Sequence, residues 1–327
     1  MDRSRISVVI PSWNEKDLLG ICLDSLLAQT QKANIIVVDN GSSDGSAAFI
    51  RENYVGVQLI ERDKNYGFTG GVNPGIEAAL QKGDEFVALF NNDAVAEKDW
   101  LEKLVSTARK HPKVGIVTSK LMLMDKKHID STGEFYSVWG VPFPRGRDEV
   151  DKGQYDELTE IFAASGGASL YRSKMLGEIG LFDEDFFAYF EDVDMSFRAQ
   201  LAGWKVLYEP GAVAYHHRGA TSGKLGDFTR YHSSKNFLLL YTKNMPTRLY
   251  VKYLPLFMLV FSSWFLASLV RGKIIPFMKG VLKVLALLSK TKGKRRTIQR
   301  SRKVSVKYID KMLYHHPPPG WQKMGRK

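Results

Sequence analysis

Short apolar runs alternate with helical patterns over the first 120 residues, and this alternation restricts the fold more than any other feature. The apolar runs are ISVVI at 6–10, NIIVVD at 34–39, VQLI at 57–60, EFVALF at 85–90 and VGIVTS at 114–119. Continuous β-branched runs of this length are typical of strands buried on both faces. Helices are predicted after the first run and at 45–53, 70–81 and 100–110. The pattern predicts an α/β fold with a mostly parallel central sheet and flanking helices.

Polar residues cluster where three of these strands end. They stand at 12–15, 39–44 and 91–93, and ligands of open α/β sheets bind beyond the carboxyl ends of the strands. We expect one shared cleft there, with Ser12 or Asn14 capping the first helix. No Walker-type or GxGxxG loop follows the first strand, so neither a P-loop nucleotidase nor a dinucleotide dehydrogenase is supported.

Three carboxylates, Glu191, Asp192 and Asp194, stand close together after the aromatic run FFAYF. A helix that starts near Glu191 tolerates acids at its N-terminus, and Asp194 can pair with Arg198 one turn later. Glu191 and Asp192 then remain at the helix N-terminus, where a carboxylate stays ionised at neutral pH and can take a proton from a bound hydroxyl. The alternative is an ordinary capped helix on the surface.

Five motifs in order carry a family resemblance: VVIPSWNE, VVDNGSSDGS, NYGFTGG, LFNNDA and FDEDFFAYFEDVDMSFRAQLAGW. Together they resemble the family 2 glycosyltransferases of the GT-A fold, especially the bacterial rhamnosyltransferase-like branch. The resemblance spans residues 6–222. It implies a GT-A catalytic domain at 1–225, with a nucleotide-sugar half at 1–118 and an acceptor half at 119–225. A helical region at 226–327 lies outside it.

The resemblance implies where the donor nucleotide binds. Pro11, Asn14 and Glu15 are expected to flank the nucleoside, and Asp39 to contact the base. As a carboxylate, Asp39 can accept the imide N–H of uracil or thymine. The other predicted nucleotide-sugar contacts are Asn40, Ser42, Asp44, Asn65, Gly67, Phe68, Gly71 and Asn92. The glycine-rich NYGFTGG is expected to cradle phosphate or sugar through backbone N–H groups, or to be simply a tight loop.

LFNNDA is the candidate metal-binding motif. An aspartate at the end of a buried strand can hold Mg²⁺ or Mn²⁺, which neutralises a departing diphosphate. The resembled family uses a DxD motif, but Asn91 replaces the first acid here, so Asp93 is the expected ligand beside Asn91 or Asn92. The family also implies a histidine ligand, for which His216 is favoured over His217. The alternative is that this motif caps the following helix.

The C-terminal third predicts contact with a membrane. Residues 253–270 carry no charged side chain, which is close to the shortest length that spans a bilayer. The next segment mixes apolar residues with lysines, as an interfacial helix does, and the basic tail after it has one acid, Asp310. We expect a membrane-attached hairpin or in-plane helices, with the tail on anionic headgroups. The alternative is a helical subdomain or a homodimer interface; nucleic-acid binding is disfavoured because no recognition motif is present.

The cellular side of that membrane follows from two observations. Cys22 is the single cysteine, which excludes an internal disulfide and fits a reducing cytosol. The N-terminal MDRSR leads directly into a strand without an apolar signal core. We expect a peripheral or monotopic protein on the cytoplasmic face.

These features together predict an inverting, metal-dependent glycosyltransferase. By resemblance, the donor is dTDP-L-rhamnose and the acceptor is a polyprenyl-linked saccharide or a growing polysaccharide. Asp192 is the expected base, and Glu191 orients the acceptor or the base. One alternative keeps the fold but uses a UDP-hexose, and another is a non-catalytic sugar-nucleotide-binding scaffold at the membrane.

Overall fold

The computed structural model describes residues 5–219 and 226–319. Its strands are β1 (Ile6–Ser12), β2 (Asn34–Asp39), β3 (Gln58–Glu61), β4 (Phe86–Phe90), β5 (Ala94–Ala96), β6 (Val114–Leu123), β7 (Ile129–Ser131), β8 (Glu134–Tyr136), β9 (Pro142–Pro144), β10 (Thr159–Glu160), β11 (Ala168–Arg172) and β12 (Lys205–His216). Its helices are α1 (Lys16–Leu27), α2 (Ser46–Asn53), α3 (Gly67–Gln81), α4 (Trp100–Lys110), α5 (Ser173–Ile179), α6 (Glu191–Leu201), α7 (Gly226–Asn244), α8 (Thr247–Val270), α9 (Ile274–Arg300) and α10 (Val306–Met312). Every predicted N-terminal strand and helix is present, with ends that differ by a few residues.

One large sheet carries the strand order β10-β12-β6-β11-β4-β1-β2-β3. β1 pairs in parallel with β2 and β4, and β2 pairs in parallel with β3, as the alternating pattern predicts. β11 runs antiparallel to both neighbours, β4 and β6, whereas β12 runs parallel to β6. The sheet is therefore mixed. β11 follows the irregular stretch after β6 and enters the sheet from the opposite end.

The glycine-rich segment forms part of a helix and not an open loop. α3 begins at Gly67, three residues before its predicted start, and includes Pro74. Asn73 of this helix donates from Nδ2 to the Phe182 carbonyl (2.9 Å) and accepts the Phe182 N–H at Oδ1 (3.1 Å). Asn73 therefore has a structural role, joining α3 to the segment that leads toward the acidic cluster.

The predicted caps of α1 are wrong. Among its contacts, Asn14 accepts the Ser43 N–H at Oδ1 (2.7 Å) and lies in the left-handed region with φ of 49°. The N-terminus of α1 is instead capped by Asp44, whose Oδ2 accepts the Lys16 N–H (2.9 Å). The other oxygen of Asp44 accepts the Ser46 N–H at the start of α2 (3.0 Å). One carboxylate therefore satisfies two helix N-termini, a contact between residues that are distant in sequence.

The C-terminal helices share a hydrophobic core with the rest of the chain. Phe237, Tyr241 and Phe257 stack on one another, with ring centroids 4.5 and 4.0 Å apart. The same buried cluster includes Phe162 and Phe197. Helices α7 to α10 are thus packed against the sheet region and are not a separate hairpin. The predicted domain boundary at 225/226 lies outside the described residues, and the division at 118/119 falls within β6 and stays a prediction.

Cys22 is buried. Burial, with a smaller contribution from the charge of Asp93, raises the pKa of its thiol well above the usual range. A thiol of this kind stays protonated and unreactive.

Helix α8 is the one described helix that is long and apolar enough to cross a membrane, judged by length and composition. Only 22% of its most apolar window is buried in the protein. Large apolar side chains are exposed on α8 and on the first half of α9: Val251, Met258, Leu259, Phe265, Leu266, Leu269, Val270, Ile275, Met278, Leu282 and Leu285. These eleven residues are called the apolar face below.

Candidate active site

A cavity of about 580 Å³ lies beyond the carboxyl ends of β1 and β4, where the sequence predicts a cleft. Ten of the predicted site residues line it: Pro11, Asn40, Asn65, Gly67, Phe68, Asn92, Asp93, Glu191, Asp192 and His216. Residues that are up to 205 positions apart in sequence thus meet at one site. Both predicted catalytic residues and both predicted metal ligands belong to this group.

The other predicted site residues do not line the cavity: Asn14, Glu15, Ser42, Asp44, Asp39 and Gly71. Asp39 ends β2 opposite Ser12, and its Oδ1 accepts the Ser42 N–H at 3.3 Å. A Cβ on Gly71 would lie 3.2 Å from both Asn40 and Pro11, so glycine permits a close approach of α3 to the cavity wall. The nucleotide contacts predicted for these residues stay predictions.

Asn40 organises the wall of the cavity next to α3. Its Nδ2 donates to the Gly67 carbonyl (2.9 Å) and to Asn65 Oδ1 (3.1 Å), and its Oδ1 accepts the Tyr66 N–H (3.0 Å). Asn65 in turn accepts the Gly67 N–H at 2.7 Å. The backbone N–H of Gly67 is thus already bonded to Asn65 within the protein, and the predicted contact of Gly67 with the nucleotide sugar stays a prediction.

Asp93 and His216 face each other across the sheet edge. The His216 Nε2 atom lies 3.2 Å from Asp93 Oδ1 and 3.4 Å from Asn91 Nδ2. On the far side of the ring, His216 Nδ1 lies 2.7 Å from Asp130 Oδ2. Burial lowers the pKa of His216, but the two carboxylates outweigh it and raise that pKa to about 9.

These residues fit a divalent cation whose remaining coordination positions are filled by the substrate. Among the described residues, no group of three or more His, Cys, Asp or Glu side chains is arranged to hold a metal. Mg²⁺ characteristically takes one or two carboxylates and fills its remaining positions with substrate phosphates and water. Asp93 would supply the carboxylate, and Asp130, which accepts from His216 Nδ1, would leave Nε2 for a metal. His217 does not line the cavity, and its backbone N–H donates to the Asp93 carbonyl.

Sequence reasoning missed three residues of this network. Asp130 holds His216, while Arg147 and Arg218 approach Asp130 at 3.4 and 3.2 Å. Both arginines line the cavity. The Arg145–Arg147 pair is visible in the sequence. Asp130 carries no such signal, because it lies 86 positions from His216 and meets it only in the folded chain.

Helix α6 begins at Glu191, as predicted, and so places both carboxylates at the cavity. Asp194 points away from them and pairs with Arg198 Nε at 2.9 Å, which confirms the predicted pair. Asp192 Oδ2 accepts the Gly166 N–H at 3.0 Å. A Cβ on Gly166 would lie 3.3 Å from Asp192, so glycine lets the carboxylate approach this backbone.

The two carboxylates differ in their environments. Glu191 is only 8% exposed, and burial followed by the charge of Asp192 raises its pKa well above its usual range. Burial also raises the pKa of Asp192, although the Gly166 and Val193 N–H groups oppose the rise. Burial thus favours the protonated form of both groups, and of Glu191 more than of Asp192, a direction opposite to the expected pair of ionised carboxylates. A carboxylate with a raised pKa is also the stronger base.

A family model described as "Glycosyltransferase like family 2" matches residues 4–230. The chain belongs to this family. It is a glycosyltransferase, and its mixed sheet with flanking helices is the GT-A fold that the sequence predicts. The match ends within α7, so most of the C-terminal helical region lies beyond it.

The chain is also similar to two named relatives and to one solved structure. The chain is similar to N-acetylglucosaminyl-diphospho-decaprenol L-rhamnosyltransferase of Mycobacterium tuberculosis, at 28% identity over 61% of this chain and 71% of that protein. It is similar to poly-beta-1,6-N-acetyl-D-glucosamine synthase of Staphylococcus aureus at 25% identity, over 64% of this chain and 49% of the synthase. The mannosyltransferase PcManGT from Pyrobaculum calidifontis, in complex with GDP-Man and Mn²⁺, aligns with a TM-score of 0.54 and 16% identity. That alignment covers 94% of this chain and 85% of PcManGT, and it shows the fold alone.

Proposed function

We propose that this protein is an inverting glycosyltransferase that moves L-rhamnose from dTDP-L-rhamnose to a lipid-linked saccharide or a surface polysaccharide. The observation that carries the proposal is one cavity holding both the base candidate Asp192 and the Asp93–His216 pair. The rhamnosyltransferase relative supports the donor sugar and the lipid-linked acceptor. The synthase relative favours a second candidate, a UDP-hexose donor, because its name shows that the transferred sugar varies among relatives.

The proposed reaction is a single displacement at the anomeric carbon. Asp192 takes the proton of the acceptor hydroxyl while that oxygen bonds to the anomeric carbon from the face opposite the leaving group. The bond between that carbon and the diphosphate oxygen breaks, and the diphosphate leaves with the electron pair. Glu191, whose raised pKa favours the protonated form, donates a hydrogen bond that orients the acceptor. One base and one stabilised leaving group suffice, so no covalent intermediate forms on the enzyme.

Asp93 and His216 would hold the divalent cation in this mechanism. When bound, Mg²⁺ or Mn²⁺ neutralises the charge that develops on the departing diphosphate. Asp130 keeps the His216 ring in the orientation that presents Nε2 to the cavity. Asn91, 3.4 Å from that nitrogen, flanks the same position.

The donor assignment predicts metal-dependent binding of one nucleotide sugar. In calorimetry with Mg²⁺, we expect dTDP-rhamnose to bind more tightly than dTDP-glucose, UDP-glucose and GDP-mannose. EDTA should weaken that binding at least about tenfold, because the diphosphate then faces Asp93 without a compensating charge. Asp93→Asn should remove most of the metal dependence, while Asp125→Asn, an exposed carboxylate outside the cavity, serves as the control.

Other binding results would replace or contradict the donor proposal. Tighter binding of UDP-glucose would replace the rhamnose donor and keep the mechanism. Binding that EDTA leaves unchanged would contradict the metal site at Asp93 and His216. Binding of none of the four would contradict both the rhamnose donor and the UDP-hexose alternative.

We also propose that the apolar face rests on the cytoplasmic leaflet of a bilayer. On α9 its residues Ile275, Met278, Leu282 and Leu285 recur at helical spacing, which produces one apolar stripe. Lys279 and Lys283 are exposed on the same helix and can contact anionic headgroups. An exposed patch of this extent marks a protein or membrane contact, and the adjacent lysines favour the membrane.

The membrane proposal predicts that charge on the stripe releases the protein from lipid. The double variant Ile275→Glu and Leu282→Glu should lower partitioning onto vesicles containing anionic lipid at least about tenfold, since each buried aliphatic side chain contributes roughly 1.5–3 kcal/mol. Flotation measures the effect, and Val55→Glu, at a position that is 90% exposed outside the C-terminal region, is the control. Unchanged flotation of the double variant would contradict the proposal. A dimer that dissociates in the double variant without lipid would favour the homodimer alternative.

A further inference from the structure

The five residues before the catalytic pair adopt an unusual backbone. This segment, residues 186–190, is called the aromatic segment below. Phe187, Tyr189 and Phe190 have φ angles of 65°, 73° and 68°. L-residues with side chains rarely occupy this left-handed region, and aromatic residues disfavour it. Three such residues within four positions persist only where contacts from elsewhere hold them.

Asn236 of α7 supplies the most concentrated of these contacts. Its Nδ2 lies 3.0 Å from the Phe186 carbonyl oxygen, 2.7 Å from that of Ala188 and 2.7 Å from that of Tyr189. The side chain is completely buried, so water cannot replace these bonds. The two N–H groups of a single amide are therefore shared among three carbonyl groups of the aromatic segment.

Two lysines of α7 hold the chain on both sides of the aromatic segment. Lys235 Nζ donates to the Asp185 carbonyl at 2.6 Å, just before the segment. Lys243 Nζ pairs with Asp183 Oδ2 at 2.6 Å and with Asp194 Oδ1 at 2.7 Å. Lys243 thus joins the approach to the segment with the first turn of α6, and Asp192 lies between these two attachments.

Helix α9 reinforces the same region from outside α7. Lys294 pairs with Asp183 and, at 2.6 Å, with Asp185, and Lys290 pairs with Asp185 at 2.6 Å. Neither Asp183 nor Asp185 lines the cavity, so contact with a bound substrate does not explain these two carboxylates. The N-terminal half of α9 carries the apolar stripe, so one helix contacts both the proposed membrane and the approach to Asp192.

We propose that Asn236, supported by Lys243 and Lys294, is a positioning residue that sets the location of Asp192 in the cavity. The inference rests on the proposed role of Asp192 as the base. The Phe190 carbonyl accepts the Asp194 N–H at 2.9 Å, which is the first hydrogen bond of α6. Orienting the aromatic segment therefore orients the first turn of α6 and the carboxylate on it. All three residues lie beyond residue 230, where the family match ends.

The test is a double-mutant cycle between Asn236→Ala and Asp192→Asn. In the wild-type background, Asn236→Ala should lower kcat at least about tenfold while the donor Kd from calorimetry changes less than twofold. In the Asp192→Asn background, the same substitution should change the residual kcat less than twofold, because no base remains to be positioned. An equal loss in both backgrounds, or an unchanged kcat in a folded Asn236→Ala variant, would overturn the proposal.

A second variant serves if Asn236→Ala does not fold. Lys294→Ala removes a partly exposed side chain and should lower kcat about threefold with an unchanged donor Kd. Lys292→Ala is the matched control on the same helix, because Lys292 is exposed and forms no ion pair within the described part of the chain. Loss of kcat in Lys292→Ala equal to that in Lys294→Ala would also overturn the proposal.

Hydrogen exchange separates this inference from the proposed reaction. In Asn236→Ala, amides of residues 186–194 should exchange faster, while those of 34–45 at the donor side stay unchanged. Slow exchange at 186–194 in the variant would overturn the positioning role, whatever the turnover. A wild-type protein without transferase activity would instead contradict the proposed function, and the exchange result would still report on the segment.

Discussion

Replacing Asp192 with asparagine is expected to lower turnover by roughly 10²–10⁴-fold, the usual contribution of a positioned general base. The substitution keeps the shape of the side chain and removes its ability to accept a proton. The Gly166 N–H, 3.0 Å from Oδ2, can still be satisfied by the amide oxygen. Donor binding should change less than about twofold, because Asp192 acts on the acceptor hydroxyl and not on the nucleotide.

Glu191→Gln provides the matched comparison. Because the raised pKa of Glu191 favours the protonated form, glutamine retains a donor at the same place. Its loss of turnover should therefore be at least about tenfold smaller than that of Asp192→Asn. The reason is that a neutral hydrogen bond contributes little net free energy. Steady-state transfer to the acceptor measures both variants, with calorimetry for the donor. A larger loss in Glu191→Gln than in Asp192→Asn would reverse the two roles.

Replacing Asp194 with alanine is expected to destabilise the fold by about 3–5 kcal/mol, the typical cost of breaking a buried ion pair. Asp194 is completely buried, and its two oxygens are held by Arg198 (2.9 Å), Lys243 (2.7 Å) and Asn244 (2.7 Å). Removing the carboxylate leaves two cations without their shared partner in the interior. Arg198 then loses its carboxylate partner and Lys243 keeps only Asp183, and this loss of charge compensation, more than the lost bonds, produces the cost.

Urea unfolding of the whole chain measures this effect. Asp227→Ala is the control, because Asp227 pairs with Lys273 at a side-chain exposure of 66%. An exposed pair contributes about 0–1 kcal/mol, so its loss should barely change the midpoint. Similar midpoints for the two variants would show that Asp194 does not hold the interior as described.

Much of the fold and part of the site follow from local patterns. The apolar runs predict the strands because strands buried on both faces favour continuous β-branched residues. β1, β2 and β4 are buried in this way, whereas β3, at the end of the sheet, is only partly buried. The start of α6 at Glu191 and the Asp194–Arg198 pair follow from rules that act within one helical turn. Asp93 and His216 are predicted from a motif and a resemblance, and they meet in the structure.

Contacts that depend on distant parts of the chain could not be read in this way. The cap of α1 comes from Asp44 in another loop, 28 positions from the N–H group that it accepts. The antiparallel entry of β11 depends on the route of the intervening chain. The raised pKa of Glu191 depends on its burial, which no local pattern reveals.

Periodicity and neighbours within one helical turn are enough to predict the strands, most helices and the residue types that bring chemistry to the site. How those residues are held depends on contacts between distant parts of the folded chain. Asp130 behind His216 and Asn236 behind the aromatic segment are 86 and about 50 positions from the groups they contact. Such contacts form where separate elements pack against one another. The free energy of that packing is distributed over the whole core, so no single stretch of sequence predicts it.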